Sequence, residues 1–173
     1  QPTSGNVDDS LASQGVLFRN FYGNGVQTTR GVVASLFGLP PSFSSKSVQG
    51  NMRDLPLIGI ADLFNRRGYV SGYLTGCPLE FEHQAEFFGA HGYSEVLGAA
   101  AMAQRFPGAS RTSWGYHDEH WMRYAVDWIK SHDEKNQPSF ATLFTITHHH
   151  PWSVPADYAA PEFDRGANAE YAN

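Results

Sequence analysis

Three times along this chain, a segment with apolar residues at every third or fourth position runs into a shorter one dense in β-branched and aromatic side chains. Pro56–Arg67 carries Leu57, Ile60, Ala61 and Phe64 at helical spacing and leads into Tyr69–Leu74, which alternates as a strand does. Phe81–Ala90, closed by Gly92, reads as a helix, and a short strand follows at Glu95–Leu97. A helix starting near Asp118, with Trp121, Ala125, Trp128 and Ile129 as its buried stripe, precedes Ser139–Thr147, the strongest β segment of the chain. Helices alternating with strands act as crossovers, so the strands run parallel with helices on both faces. The expectation is an α/β domain whose ligands lie beyond the carboxyl ends of the strands.

Composition narrows the classes. The 173 residues suit one domain, and 41% hydrophobic against 17% charged side chains allows a sizeable core. A net charge of −5 opposes nucleic-acid binding, which needs clustered Lys and Arg. No apolar run approaches the ~20 residues that span a bilayer. The single cysteine, Cys77, excludes a disulfide framework and a multi-cysteine zinc site.

The rest of the chain contributes punctuation. Residues 1–14 are polar and read as irregular or as a short helix around Asp8–Ser13; a strand is expected at Val16–Tyr22, a turn at Gly23–Gly25, and a loop rich in Pro, Ser and Gly over residues 39–55. Thr28–Phe37, with threonines at its start and Gly38 before Pro40, predicts a short helix with both ends marked.

Two segments at expected strand ends can carry chemistry. At the start of the Thr28 helix, a hydroxyl meets unpaired backbone N–H groups and the positive end of the helix dipole, which suits attack on a phosphate or sulfate. Arg30 could clamp the same anion with two hydrogen bonds. A plain threonine cap with an exposed arginine explains the same residues. In His148-His149-His150, alternate side chains face opposite ways, so all three cannot hold one metal without a bend. One or two could face a pocket and hydrogen-bond a phosphate oxygen or protonate a leaving group. A surface run, or one satisfied buried histidine, is the plainer reading.

Two other clusters carry less. Cys77 with His83 suggests a thiol nucleophile, but no orienting third group accompanies them. His117-Asp118-Glu119-His120 offers metal-binding side chains, yet consecutive residues at a helix start do not share a face, and capping explains them better.

In order, the segments Phe18–Gly31, Gly68–Tyr73, Gly92-Tyr93, Trp114–Glu119 and Thr145–Trp152 resemble the lipoteichoic acid synthase and phosphoglycerol transferase branch of the sulfatase and alkaline-phosphatase superfamily. Thr28 also lies ten positions before Gly38, like the nucleophile-to-glycine spacing of sulfatases. The resemblance implies an alkaline-phosphatase-like three-layer αβα sandwich with a mostly parallel sheet. Residues 1–173 would be the central part of a single sulfatase-like catalytic domain, cut at both ends.

By the same resemblance, Thr28 is the catalytic nucleophile and a ligand of a divalent, manganese-like metal. Thr29 is its neighbour, and His149 matches the histidine that contacts the substrate phosphate. Arg30 and Glu82 complete the implied substrate residues. The family's substrate-loop aspartate falls near Cys77, and its tryptophan and arginine fall near Glu82 and Gln84. His148 stands in place of the motif asparagine. The family's remaining metal ligands lie before Gln1 and after Asn173, so this fragment is expected to be inactive alone and to retain no metal.

The implied reaction is attack of Thr28 on a phosphoglycerol lipid such as phosphatidylglycerol, with transfer to a cell-envelope glycan or polymer. The parent would be membrane-tethered and extracytoplasmic. A sulfatase or phosphatase on the same fold is the competing enzyme, although a Cys/Ser-x-Pro-x-Arg signature is missing. A non-catalytic module holding an anionic headgroup at the Thr28 helix start is the reading from another class.

Overall fold

Burial on both faces explains why Val70–Thr75 (β1) is the central strand. In the computed structural model, which describes residues 11, 13–16, 18, 20–23, 27–40, 48–150 and 153, β1 lies between Glu95–Leu97 (β2) and Ser139–Phe144 (β5). Both pairings are parallel, with Gly72 opposite Glu95 on one side and Ala141 on the other. Two further short strands, Arg111–Thr112 (β3) and Gly115–Tyr116 (β4), form a separate antiparallel pair.

The helices are Thr28–Phe37 (α1), Val48–Met52 (α2), Ile60–Asn65 (α3), Gln84–Ala90 (α4), Ala99–Arg105 (α5) and Asp118–Asp133 (α6). Alternate residues of β1 point into two different cores. Tyr73 joins Val33, Val48, Ala61, Phe87, Phe88 and Tyr93 on one face. Leu74 joins Met102, Tyr116, Trp121, Ala125 and Trp128 on the other. Helices therefore cover both faces of a parallel sheet, the three-layer arrangement expected from the sequence. Gly72 permits the second core: a Cβ there would meet the Trp128 ring at 2.7 Å. Among the described residues, no helix is long and apolar enough to cross a membrane.

Several local expectations need correction. The described positions within Val16–Tyr22 are not in a strand, and Val16, Phe18, Phe21 and Tyr22 are exposed. Strand propensity acts through packing against neighbours, and these side chains have little. Leu11, Ser13 and Gln14 are helical; residues 8–10 lie outside the described residues, as do Asn24 and Gly25 of the expected turn. The loop over 39–55 contains α2, which buries Val48 and Gln49.

The Pro56 helix begins only at Ile60, because the Asp62 carboxylate accepts the Gly59 N–H at 2.8 Å and caps the helix there. Phe81–Ala90 is split into a 3-10 turn, Phe81–His83, and α4, because Glu82 and His83 take left-handed backbone angles. On α6, Ile129 is 39% exposed while His132 is buried in its stead. The imidazole is satisfied there, with Nδ1 2.9 Å from the Gln137 amide oxygen and Nε2 3.3 Å from Glu95. The last strand stops at Phe144 rather than Thr147, and the chain then turns.

Candidate active site

A cavity of about 600 Å³ opens at the carboxyl ends of β1 and β5, where a parallel sheet is expected to present its ligand site. Thr28, Thr29, Glu82, His148 and His149 all line it. The two segments singled out in the sequence, far apart along the chain, therefore share one space. Arg30 does not line the cavity, so the expected clamp on the anion is not in position there.

Thr28 is the first residue of α1 rather than its cap. The capping position belongs to Gln27, whose side chain makes no hydrogen bond to the first turn. The plain threonine-cap explanation thus fails. Thr28 is instead an exposed hydroxyl at the positive end of a ten-residue helix. Gly38 ends that helix in a left-handed conformation (φ 65), its N–H donating to the Ala34 carbonyl at 2.9 Å.

His149 is held in another way. After β5, the Asp118 carboxylate accepts the backbone N–H groups of Ile146 at 2.8 Å and Thr147 at 3.1 Å. It also accepts the Trp121 indole N–H at 2.8 Å, and the Asp118 N–H donates back to the Thr147 hydroxyl at 2.7 Å. The first residue of α6 thereby fastens the turn that carries the histidines. From the other side, the Trp114 indole donates to the His150 carbonyl at 2.7 Å, and its ring lies 3.9 Å from the His149 ring. The histidine is an exposed ring on a turn held at two points.

Of the floor, Cys77 and Gln84 fall where the resemblance puts the substrate loop, whereas Gln49 and Tyr73 are not singled out in the sequence as site residues. Gln49 from α2, Tyr73 from β1, Gln84 from α4 and Cys77 are all buried in its wall. Tyr73 donates its hydroxyl to the Gln84 amide oxygen at 2.9 Å. Burial pushes the Tyr73 phenol well above its ordinary range. Burial also raises the Cys77 thiol, the nearby Asp118 charge adds to this, and the Thr75 hydroxyl only partly offsets it. A protonated thiol is a poor nucleophile, and His83 is exposed, so the Cys77–His83 alternative falls away. A glutamine in a Pro- and Ser-rich stretch gave no signal, whereas Trp114 belonged to a recognisable motif.

Among the described residues, no three His, Cys, Asp or Glu side chains are grouped to hold a metal ion. The Thr28 hydroxyl is the sole donor that the resemblance assigns here, and one neutral hydroxyl does not fit a divalent site by itself.

Comparison with known proteins gives the site a context. The sulfatase family model matches residues 1–173. A protein in the alkaline phosphatase superfamily from Vibrio parahaemolyticus has 26% sequence identity and a TM-score of 0.84, over 99% of this chain and 41% of that one. The lipoteichoic acid synthase LtaP from Listeria monocytogenes shares the fold at 17% identity and a TM-score of 0.72, over 86% of this chain and 36% of that one. The chain spans less than half the length of either solved structure.

Proposed function

The chain belongs to the sulfatase family, and on that premise we propose that it carries the nucleophile side of a phosphodiester-cleaving transferase, with Thr28 as the attacking group. One observation carries the reading: Thr28 at a helix start and His149 on a fastened turn line the same cavity. In this reading the residues 1–173 are the central part of one catalytic domain.

The chemistry follows from the positions. The Thr28 oxygen attacks phosphorus and gives up its proton, the bond to the leaving alcohol breaks as that alcohol takes up a proton, and a phospho-threonine ester remains. With phosphatidylglycerol as donor, diacylglycerol leaves and a phosphoglycerol group stays on Thr28. The helix start stabilises negative charge on the phosphoryl oxygens, and backbone N–H groups there need no reorganisation. His149 hydrogen-bonds the phosphate or protonates the departing alkoxide. A second alcohol, on a cell-envelope glycan or polymer, then attacks the phospho-threonine and regenerates the hydroxyl. Water in that second step would make the same site a hydrolase. A manganese-like ion belongs to the reading as well, and ligands beyond Thr28 would have to come from outside the described residues. An extracytoplasmic, membrane-tethered parent is part of the same proposal.

The test is Thr28→Ala in the full-length protein. Turnover of phosphatidylglycerol should fall by about a thousandfold or more, as for other single covalent nucleophiles. The phospho-threonine adduct seen by mass spectrometry should vanish while the folded spectrum is kept. Retained turnover overturns the assignment. Preference for a sulfate ester or a phosphomonoester would indicate the hydrolase alternative, and phosphate binding with no adduct would indicate a binding module.

A further inference from the structure

The His150 carbonyl is an acceptor shared by two donors. The Trp114 indole N–H reaches it at 2.7 Å, and His149 Nδ1 lies 3.2 Å from the same oxygen. A carbonyl cannot donate, so this contact requires the hydrogen to sit on Nδ1. A neutral imidazole carries one N–H, which makes Nε2 the bare nitrogen. The backbone of the next residue thus selects the tautomer of the cavity histidine.

Trp114 holds this arrangement from two directions. Its N–H fixes the carbonyl, and its ring lies against the His149 ring, with centroids 3.9 Å apart and planes at 43°. A half-turn of the imidazole, which would exchange the two nitrogens, has to slide past that indole face. The indole is itself anchored at the β3–β4 hairpin, where the Trp114 backbone N–H donates to the Thr112 hydroxyl at 3.0 Å. The His149 backbone N–H closes its own turn on the Ile146 carbonyl at 3.0 Å. Both rings line the cavity with Thr28, and with Nδ1 engaged by the backbone, Nε2 is the nitrogen left for a ligand.

We propose that Trp114 is a positioning residue that fixes His149 so that Nε2 alone serves the phosphate. This rests on the reading of Thr28 and His149 as the phosphate end. Either service expected of His149, a hydrogen bond to the phosphate or a proton for the leaving alkoxide, needs a hydrogen on Nε2. Because Nδ1 keeps its own, the ring enters the reaction as an imidazolium. Nε2 gives its proton to the departing alkoxide and is left bare. The incoming alcohol returns a proton to it as the phospho-threonine opens, while Thr28 loses its proton to water in the first half and regains one in the second. The titratable groups around the ring are His148 and His150 on the turn, Asp118 at the start of α6, and Glu82 and Cys77 in the cavity wall.

The nitrogen-15 resonances of the His149 ring in the full-length protein test this without a ligand. In alkaline solution, where an imidazole is neutral, Nδ1 should carry the hydrogen and Nε2 should be bare. Trp114→Phe keeps a ring and removes the N–H, and should move the tautomer ratio about fivefold toward the opposite form, as for loss of one hydrogen bond. Trp114→Leu removes both contacts; it should move the ratio further and lower kcat about tenfold with KM within about twofold. Dimethyl phosphate, a diester with no proton to lose over this range, should bind the doubly protonated ring about tenfold more tightly than the neutral one. A neutral wild-type ring with its hydrogen on Nε2 overturns the proposal whether or not the variants fold. So does a tautomer ratio or a kcat untouched in folded W114L, or equal binding of dimethyl phosphate to the two ring forms. No binding of dimethyl phosphate to either form removes the phosphate end, and the donor role of Nε2 with it. The resonances do not depend on Thr28, so the two readings separate. If T28A retains turnover while Nε2 is bare and Trp114-dependent, the nucleophile fails and the role of Trp114 stands; if T28A is inactive and the neutral ring carries Nε2–H, the reverse holds.

Discussion

The two rims of the cavity are built on different principles. Thr28 sits on a helix whose position is fixed by buried Val33 and Ala34 and by its Gly38 stop, all of them away from the hydroxyl. His149 sits on an irregular turn whose placement depends on side chains reaching across from elsewhere, Asp118 and Trp114 above all. A helix distributes its support over many weak packing contacts, whereas the turn concentrates it in a few hydrogen bonds. One substitution can therefore displace the histidine, while moving the threonine requires the helix itself to shift.

That contrast breaks most decisively at Asp118. Asp118→Ala strands the N–H groups of Ile146, Thr147 and Trp121, and should lower stability by about 3 kcal/mol, since hydrogen bonds to a charged acceptor are worth most. Activity should drop more than stability explains, with Asp118→Asn partly restoring both. A D118A protein with wild-type melting and turnover would show that the turn holds itself. Gly38→Ala probes the other rim: an alanine at φ 65 should cost about 1 kcal/mol in denaturant unfolding, with turnover at low temperature unaltered. Trp114→Phe keeps a ring against His149 and removes the bond to the His150 carbonyl. About 0.5–1 kcal/mol is expected, together with a shifted His149 ring resonance.

A last measurement uses pH. Burial holds the His117 imidazole below its ordinary value; His120 adds to this, and Glu119 and Asp118 oppose it. The unfolded chain then binds the proton more readily than the folded one. Stability from this residue is complete above about pH 6.5 and is lost as pH falls below that toward the folded value. A small fall in melting temperature between pH 7.5 and 5.5 should flatten in His117→Gln, and it should register at the neighbouring Asp118 turn before it registers at α1.

The difference between the rims also explains what the sequence disclosed. Thr28–Phe37, Glu95–Leu97 and the start of α6 are set by local rules, stop glycines and apolar periodicity, and each is found where those rules put it. Asp118 looks like an ordinary helix-start acid, and its bonds to Ile146 and Thr147 depend on the turn after β5, 28 and 29 positions away. Gln49 is similar: its neighbours predict a loop, and only the packing of α2 brings its amide into the cavity wall. Ile129 and His132 trade places partly for the same reason, since the distant Glu95 carboxylate, with the nearby Gln137 amide, makes burial of an imidazole tolerable. Local signals reveal the scaffold and the nucleophile, and long-range pairing supplies the rest of the site.

Beneath the cavity, β4 passes so near the end of β1 that the Tyr116 N–H donates to the Gly76 carbonyl at 3.1 Å. A methyl group on Gly115 would land 2.1 Å from that carbonyl oxygen, and one on Gly76 would land 2.6 Å from the Tyr116 oxygen. For protein engineering, this crossing is a fixed boundary. Libraries that seek new substrates can vary the exposed wall residue Phe81, but any side chain introduced at either glycine pries apart the two segments that support both Cys77 and Asp118. Substrate range can therefore change at the walls of this pocket and hardly at all from below.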